Sequence, residues 1–292
     1  MILNVETYLS ILNKSISTNY KIKNWKHYRQ EVVEFIKSNI KLSNYKNAAV
    51  FAAGDCGDID LRFLSQNFEE ILLTDISSKN IKIGIKKQLN PTRTQNFSIK
   101  TFDYTGLDKN DFYKKIIELL LNKEHIEKIK DFITEELNSL NADKIYSTIP
   151  RKYNIVISLP VYSQLFYQHI IAILDYHNIY KKYSKDKLSN FKTFLLNKMP
   201  IIIDNYNSLL HNIISKDGIL ISLIDMLEYK NTSATLQKIS KDMNNNLIEN
   251  QIKKSGYGIS NFALDNLKKY FSIINSKWLL WPFNKKRTYL VK

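Results

Sequence analysis

The segment VFAAGDCGDIDLRFL, residues 50–64, runs from an apolar stretch through a glycine-containing turn into an apolar-periodic helix. Gly54 lets the backbone turn sharply where a strand ends and lets a ligand come close to it. The helix N-terminus beyond offers unpaired backbone N–H groups to a negative group. Asp75 ends the next apolar run, at the spacing of roughly twenty residues used by nucleoside-binding units. A carboxylate there accepts hydrogen bonds from both hydroxyls of a ribose. Asp103 ends a third run, where a carboxylate or the adjoining backbone meets an adenine edge. Three successive strand ends then carry nucleoside-binding groups on one edge of a sheet, which is where open α/β sheets bind ligands.

Each residue also has a plainer reading. Asp58 suits a helix N-cap whatever the ligand. Asp60 suits the first helical turn, where the dipole favours an acid. Cys56 reads as a small loop residue rather than a nucleophile, since no histidine or other base is near it in sequence. His169 and His177 read as surface or satisfied histidines ahead of general bases. Tyr162 reads as packing, and Trp278 and Trp281 as the packing of a terminal hairpin.

The elements that must position these groups alternate between strand and helix from about Ala48 onward, the pattern of a parallel sheet wrapped by helices. Before that, Val5, Tyr8, Leu9, Leu12 and Ile16 mark one face of a helix. Asn24 is placed to cap a second helix carrying Trp25, Tyr28, Val32, Phe35 and Ile36. Strands are expected at 48–54 (AAVFAAG), 70–75 (EILLTD), 98–103 (SIKTFD), 153–159 (YNIVISL) and 219–225 (ILISLID), and a helix from about Asp58. The stretch 108–145 is too long for a loop between strands and reads as an inserted helical hairpin. Helices are expected over 163–180, 186–198 and 201–215, with Gly218 as a left-handed cap. A polar region, 228–258, holds one helical pattern and a GYG turn at 256–258. A helix over about 260–270 leads to WLLWPF and RTYLV, read as an antiparallel pair closing the sheet.

These motifs make the chain similar to class I S-adenosylmethionine (SAM)-dependent methyltransferases over about residues 48–292. Gly54 falls on the first glycine of that family's strand-one motif, with Asp55, Cys56 and Gly57 completing the loop. Asp75 falls on its ribose-binding acid, Asp103-Tyr104 on its adenine-flanking position, and Ser158-Leu159 on the end of its fourth strand. The AGDCGDIDL wording and the triplet Ser163-Gln164-Leu165 resemble a bacterial subgroup whose loop reads roughly A-G-N-C-N-D-x-D-L. The resemblance implies a Rossmann-like three-layer α/β sandwich. Its sheet would be mostly parallel and seven-stranded, with an antiparallel last strand and helical insertions at about 108–145 and 163–215. It divides the chain into a helical region, 1–45, and a SAM-binding domain, 46–292. It implies SAM as cofactor, held by Ala53, Gly54, Asp55, Cys56, Asp75, Ile76, Asp103, Tyr104, Ser158 and Leu159, and methyl transfer as the reaction.

The chain departs from that pattern at two points. The family's acid inside strand one is Ala52 here, and Cys56 replaces the second glycine. Recognition of a methionine moiety then shifts to Asp55, Asp58 or Asp60, or binding is weakened. No G-x-G-x-x-G motif and no P-loop is present, which argues against dinucleotides and nucleoside triphosphates.

Composition sets the outer bounds. Of 43 basic residues in 292, five are arginine (Arg29, Arg62, Arg93, Arg151, Arg287), and the net charge is +15. Arginine is the favoured side chain for bidentate phosphate and base contacts, so the lysine excess reads first as a solvated face. From Lys79 to Lys100 there are six positive charges and no acid. This run, with the faint likeness of SLPVY (158–162) to the motif by which amino-methylating enzymes hold a flipped base, keeps a nucleic-acid acceptor as the alternative to a small-molecule or peptide acceptor. A non-catalytic nucleoside-binding module is the further alternative. Cys56 is the single cysteine, which excludes an intramolecular disulfide and a cysteine-built zinc site; no metal is expected. The sequence shows neither a signal peptide nor a stretch of 18 apolar residues, so no membrane insertion and a cytoplasmic location are expected.

Overall fold

A computed structural model describes residues 18–107, 111–140, 149, 152–256 and 258–292. The expected first helix, around Val5–Ile16, lies outside the described residues, as do Arg151, Tyr257 and much of 141–151. The chain forms two compact units. A sheet unit comprises 16–102, 151–161 and 213–292, and a helical unit draws on 103–150 and 162–212.

The sheet unit begins with two helices, α1 (Thr18–Asn24) and α2 (Lys26–Asn39). Asn24 closes α1 rather than capping α2; its side-chain amide donates to the Tyr20 carbonyl at 2.9 Å. Then follow β1 (Asn47–Phe51), α3 (Leu61–Asn67), β2 (Glu70–Asp75), α4 (Ser78–Gln88) and β3 (Phe97–Thr101). After the helical segments come β4 (Tyr153–Ser158) and β5 (Ile214–Ser222). These five strands form one sheet, all pairings parallel, in the order β3-β2-β1-β4-β5. That order is the doubly wound arrangement, with its switch point beside β1. Alternate residues Ala48, Val50, Ile71, Leu73, Ile155 and Ile157 enter a core with Tyr28, Val32 and Ile36 of α2 and Leu61 and Leu64 of α3. The intervening Ala49, Leu72 and Val156 are buried too, as expected of strands buried on both faces.

The rest of the chain departs from the sequence expectation. β6 (Asp225–Lys230), β7 (Leu279–Trp281) and β8 (Arg287–Val291) form a separate antiparallel sheet, order β6-β8-β7. The terminal hairpin therefore does not close the main sheet, and the main sheet has five strands among the described residues, not seven. An extended link joins the two sheets. Leu223 donates to the Ser158 carbonyl at 2.8 Å, and Ile224 exchanges two 2.9 Å backbone bonds with Lys292. The polar region after β6 carries two helices, α9 (Ala234–Asp242) and α10 (Asn245–Ser255), followed by α11 (Ile259–Tyr270). Gly218 lies inside β5, not at a helix cap. A Cβ there would stand 2.8 Å from the Asn154 carbonyl oxygen, beside the register shift between β4 and β5.

In the helical unit, α5 (Phe112–Leu121) and α6 (Ile126–Asn138) carry the expected apolar stripes, with Phe112 stacked on Phe132 at 5.7 Å. α7 (Tyr167–Tyr176) precedes one 29-residue helix, α8 (Lys185–Ile213), which runs through Pro200. Proline removes one ladder hydrogen bond, but Met199, Ile202, Ile203 and Tyr206 are all buried. Packing thus carries the helix past the break expected there. Among the described residues no helix is long and apolar enough to cross a membrane.

Candidate nucleoside-binding site

β1 stops at Phe51, three residues before its expected end, because the backbone turns left-handed at alternate positions. Ala52, Gly54 and Cys56 have φ of +58°, +51° and +55°. For Ala52 and Cys56 this costs roughly 1–2 kcal/mol each, strain that the surrounding structure must hold. The β2 end does part of the holding. The Ala53 N–H donates to the Thr74 carbonyl at 2.9 Å, and the Gly54 N–H to Asp75 Oδ2 at 2.9 Å. The other Asp75 oxygen accepts from the Ser77 N–H at 3.1 Å, beyond the half-buried Ile76. One carboxylate therefore ties the loops after β1 and β2 together. A Cβ on Gly54 would meet nothing within 4 Å among the described residues.

α4 supports the loop from behind. Gly84 packs so closely that a Cβ would collide with the Asp55 carbonyl and stand 2.9 Å from the Cys56 Cβ. The Gln88 amide donates to the carbonyls of Cys56 at 2.6 Å and Ile59 at 3.2 Å. Its oxygen accepts from the Leu61 N–H at 3.0 Å. α3 begins three residues later than expected, because residues 55–60 are taken up by turns. The cap is Asp60, which accepts from the N–H groups of Arg62 at 2.9 Å and Phe63 at 3.0 Å. Asp58 is not the cap.

Charge gathers on the far side of the loop. Lys21 of α1 pairs with Asp55 at 2.9 Å. Arg29 of α2 donates to the carbonyls of Gly57 at 2.9 Å, Lys21 at 3.2 Å and Ile22 at 2.7 Å. Asp58 has an enclosed Oδ1 with no hydrogen-bond partner among the described residues. Burial raises its carboxyl, Lys21 opposes, Asp55 adds and Arg29 opposes, so that it is pushed up to about 7. The Cys56 thiol is fully buried, and burial together with Asp55, Asp75 and Asp58 raises it well above its ordinary range. A protonated, enclosed thiol is a packing residue and not a nucleophile.

Ser158 and Leu159 are fully buried at the end of β4, where Leu159 donates to the Phe51 carbonyl at 3.1 Å. Asp103 and Tyr104 belong to the helical unit, just after β3. Thr105 donates its hydroxyl to Asp103 at 2.7 Å, and Tyr104 packs on Tyr206 at 5.4 Å. Tyr206 in turn meets Tyr162, whose hydroxyl donates to Asn207 at 2.7 Å; Tyr162 is fully buried. His169 is buried and meets the Tyr113 hydroxyl through Nδ1 at 2.9 Å. Burial lowers its pKa to about 4 against the opposing charge of Asp103, so it stays neutral in ordinary buffers. It is a satisfied core histidine, and Tyr162 is packing. Trp281 packs on Trp25 at 5.0 Å and Tyr28 at 5.8 Å.

Lys21, Gly84 and Gln88 are absent from the sequence reading, and Arg29 enters it only as one of the five arginines. Lys21 and Asp55 are 34 residues apart and Gln88 and Cys56 32, and no local pattern signals such pairs. Gly84 had the one available sign, a glycine inside an otherwise regular helical run.

No protein-family profile matches the chain, and neither does any curated protein. Similar solved structures include a SAM-dependent methyltransferase from Clostridium acetobutylicum ATCC 824, 12% identical over 78% of this chain, with a TM-score of 0.33. This chain spans 63% of the length of that one. The methyltransferase domain of bacterial CtHen1 is 11% identical, with 94% and 97% of the two chains covered and a TM-score of 0.37. The glycopeptide N-methyltransferase MtfA, solved in complex with SAM, is 8% identical, with 90% and 92% covered and a TM-score of 0.36.

Proposed function

We propose that the chain is a SAM-dependent methyltransferase whose acceptor is a small molecule or peptide. The observation that carries this reading is the Gly54–Asp75 junction at adjacent strand ends of a doubly wound sheet. A left-handed glycine there has no described residue within 4 Å of where a Cβ would stand, and a carboxylate stands at the end of the neighbouring strand. In this reading Ala53, Gly54, Asp55 and Cys56 line the donor's approach, Asp75 and Ile76 meet the ribose, Asp103 and Tyr104 flank the adenine, and Ser158 and Leu159 close the floor. Helices in 108–145 and 163–215 select the acceptor, and 1–45 is a helical region added to a SAM-binding domain at 46–292.

SAM, when bound, supplies a methyl group on a sulfonium that is already an excellent leaving group. The chain's own task is to align the acceptor atom with the S–CH3 bond and exclude water. A base is needed only if the acceptor atom must lose a proton. His169, buried and neutral against Tyr113, is not assigned that role.

The test is transfer of a labelled methyl group from SAM to peptide and small-molecule fractions of a cell extract. Label transferred by wild type but not by Asp75→Ala supports the proposal, and no transfer to any fraction counts against it. A nucleic-acid acceptor is the second reading. It is favoured by the exposed Lys79, Lys82, Lys86, Lys87 and Arg93, which lie along α4 and the turn after it. Binding to RNA or DNA that falls steeply with salt would favour it, and salt-insensitive or absent binding would remove it.

A further inference from the structure

The Lys21–Asp55 pair stands beside the Gly54 turn with only 17% and 14% of its side chains exposed. A pair so enclosed at best offsets its own desolvation, so stability is a poor reason for it. The surroundings seat it nevertheless. Gly57 lacks a side chain where a Cβ would stand 3.1 Å from the Lys21 Cδ and 2.9 Å from the Trp25 ring. The Lys21 ammonium lies 5.1 Å from the centre of that ring. Arg29, by binding the carbonyls of Lys21, Ile22 and Gly57, clamps α1 to the loop. A cation and an anion are thereby fixed side by side, one residue beyond an open left-handed glycine.

An α-amino-acid end of a ligand carries the complementary couple, a carboxylate and an ammonium on one carbon. We infer that the Lys21–Asp55 pair recognises the α-amino-acid end of the bound ligand. Lys21 Nζ donates to the ligand carboxylate and Asp55 accepts from the ligand ammonium, so that four charges alternate in sign. Such charge-assisted bonds are strong when their donors are held in place beforehand. The inference rests on the methyl-donor reading above and deepens it. It assigns the methionine end of the donor to a lysine from α1 and an acid of the loop after β1.

The test compares two ligands that share a nucleoside and differ in the amino-acid end. S-adenosylhomocysteine has that end, and 5′-methylthioadenosine lacks it. Both are titrated calorimetrically into wild type, Lys21→Met and Asp55→Asn, with thermal unfolding as the check on folding. Lys21→Met keeps an unbranched stem against Gly57 and Trp25 and removes the charge. The expected result is S-adenosylhomocysteine binding weakened about tenfold or more in either variant, with 5′-methylthioadenosine unchanged. Equal weakening of both ligands would make the pair a mere tether, and unaltered binding of both would overturn the inference outright. Wild type that binds 5′-methylthioadenosine better than S-adenosylhomocysteine also overturns it but leaves the nucleoside site standing. Wild type that binds neither overturns the methyl-donor reading and this inference together. Should Lys21→Met fail to fold, Asp55→Asn decides on the same comparison.

Discussion

The Gly54 N–H donates to Asp75 Oδ2 at 2.9 Å, joining the turn after β1 to the end of β2. This single contact couples the two residues that the sequence nominates for nucleoside binding. It also explains how a loop with three left-handed residues keeps one shape. The strain at Ala52 and Cys56 is met by hydrogen bonds from β2 on one side and from Gln88 on the other.

Two glycine substitutions should separate conformation from packing. Gly54→Ala adds a methyl group to open space at φ +51°, so its cost is backbone strain of about 1 kcal/mol. Gly84→Ala drives a methyl group into the Asp55 carbonyl and should cost more, ~1–3 kcal/mol. Denaturant unfolding of both variants checks the order. Nucleoside binding should respond oppositely to stability, with Gly54→Ala losing more affinity than its mild destabilisation accounts for.

Ala52→Gly should stabilise the protein, although a glycine in place of alanine is usually harmful. At φ +58° the relief of left-handed strain outweighs the added freedom of the unfolded chain, for a gain of ~0.5 kcal/mol. A fall in the denaturation midpoint would mean that the Ala52 methyl contributes more packing than strain.

Asp58 gives the stability a pH dependence of definite sign. Its carboxyl is raised in the folded protein to about 7, so the folded state holds a proton that the unfolded chain releases. Stability from this group is full below the ordinary carboxylate range and is lost as pH rises toward 7. Asp58→Asn should remove that loss and raise stability above pH 7, by on the order of 2 kcal/mol. His169 acts oppositely. Its pKa is lowered to about 4, so stability falls as pH drops from the ordinary histidine range toward 4. Unfolding measured across this range in Asp58→Asn and His169→Gln should therefore give profiles that diverge from wild type at opposite ends. Parallel profiles would show that neither group is enclosed as described.

The sequence was most legible where pattern and chemistry coincide. β2 runs Glu70–Asp75 as expected, an apolar stretch bounded by acids. The parallel arrangement of β1 to β5 follows from the same kind of signal. Misreadings arose where local and tertiary preferences compete. AAG after Phe51 looks like strand, but left-handed geometry at Ala52 ends it. Pro200 looks like a break, but the buried Met199, Ile202 and Ile203 continue the helix. β6 reads DMLEYK and is only partly covered, so it lacks a clean alternation, and without it the terminal hairpin has no other partner to predict than the main sheet. Lys21, Gln88 and Gly84 reach the loop from helices distant in the chain, and only the fold brings them there.

The most direct measurement is calorimetric titration of SAM and S-adenosylhomocysteine into wild type and Asp75→Ala, with circular dichroism confirming that both are folded. Micromolar binding by wild type that is lost in Asp75→Ala is the predicted result. Folded wild type that binds neither compound would contradict the central claim, and the Gly54–Asp75 junction would then be a structural tie in a repurposed doubly wound scaffold.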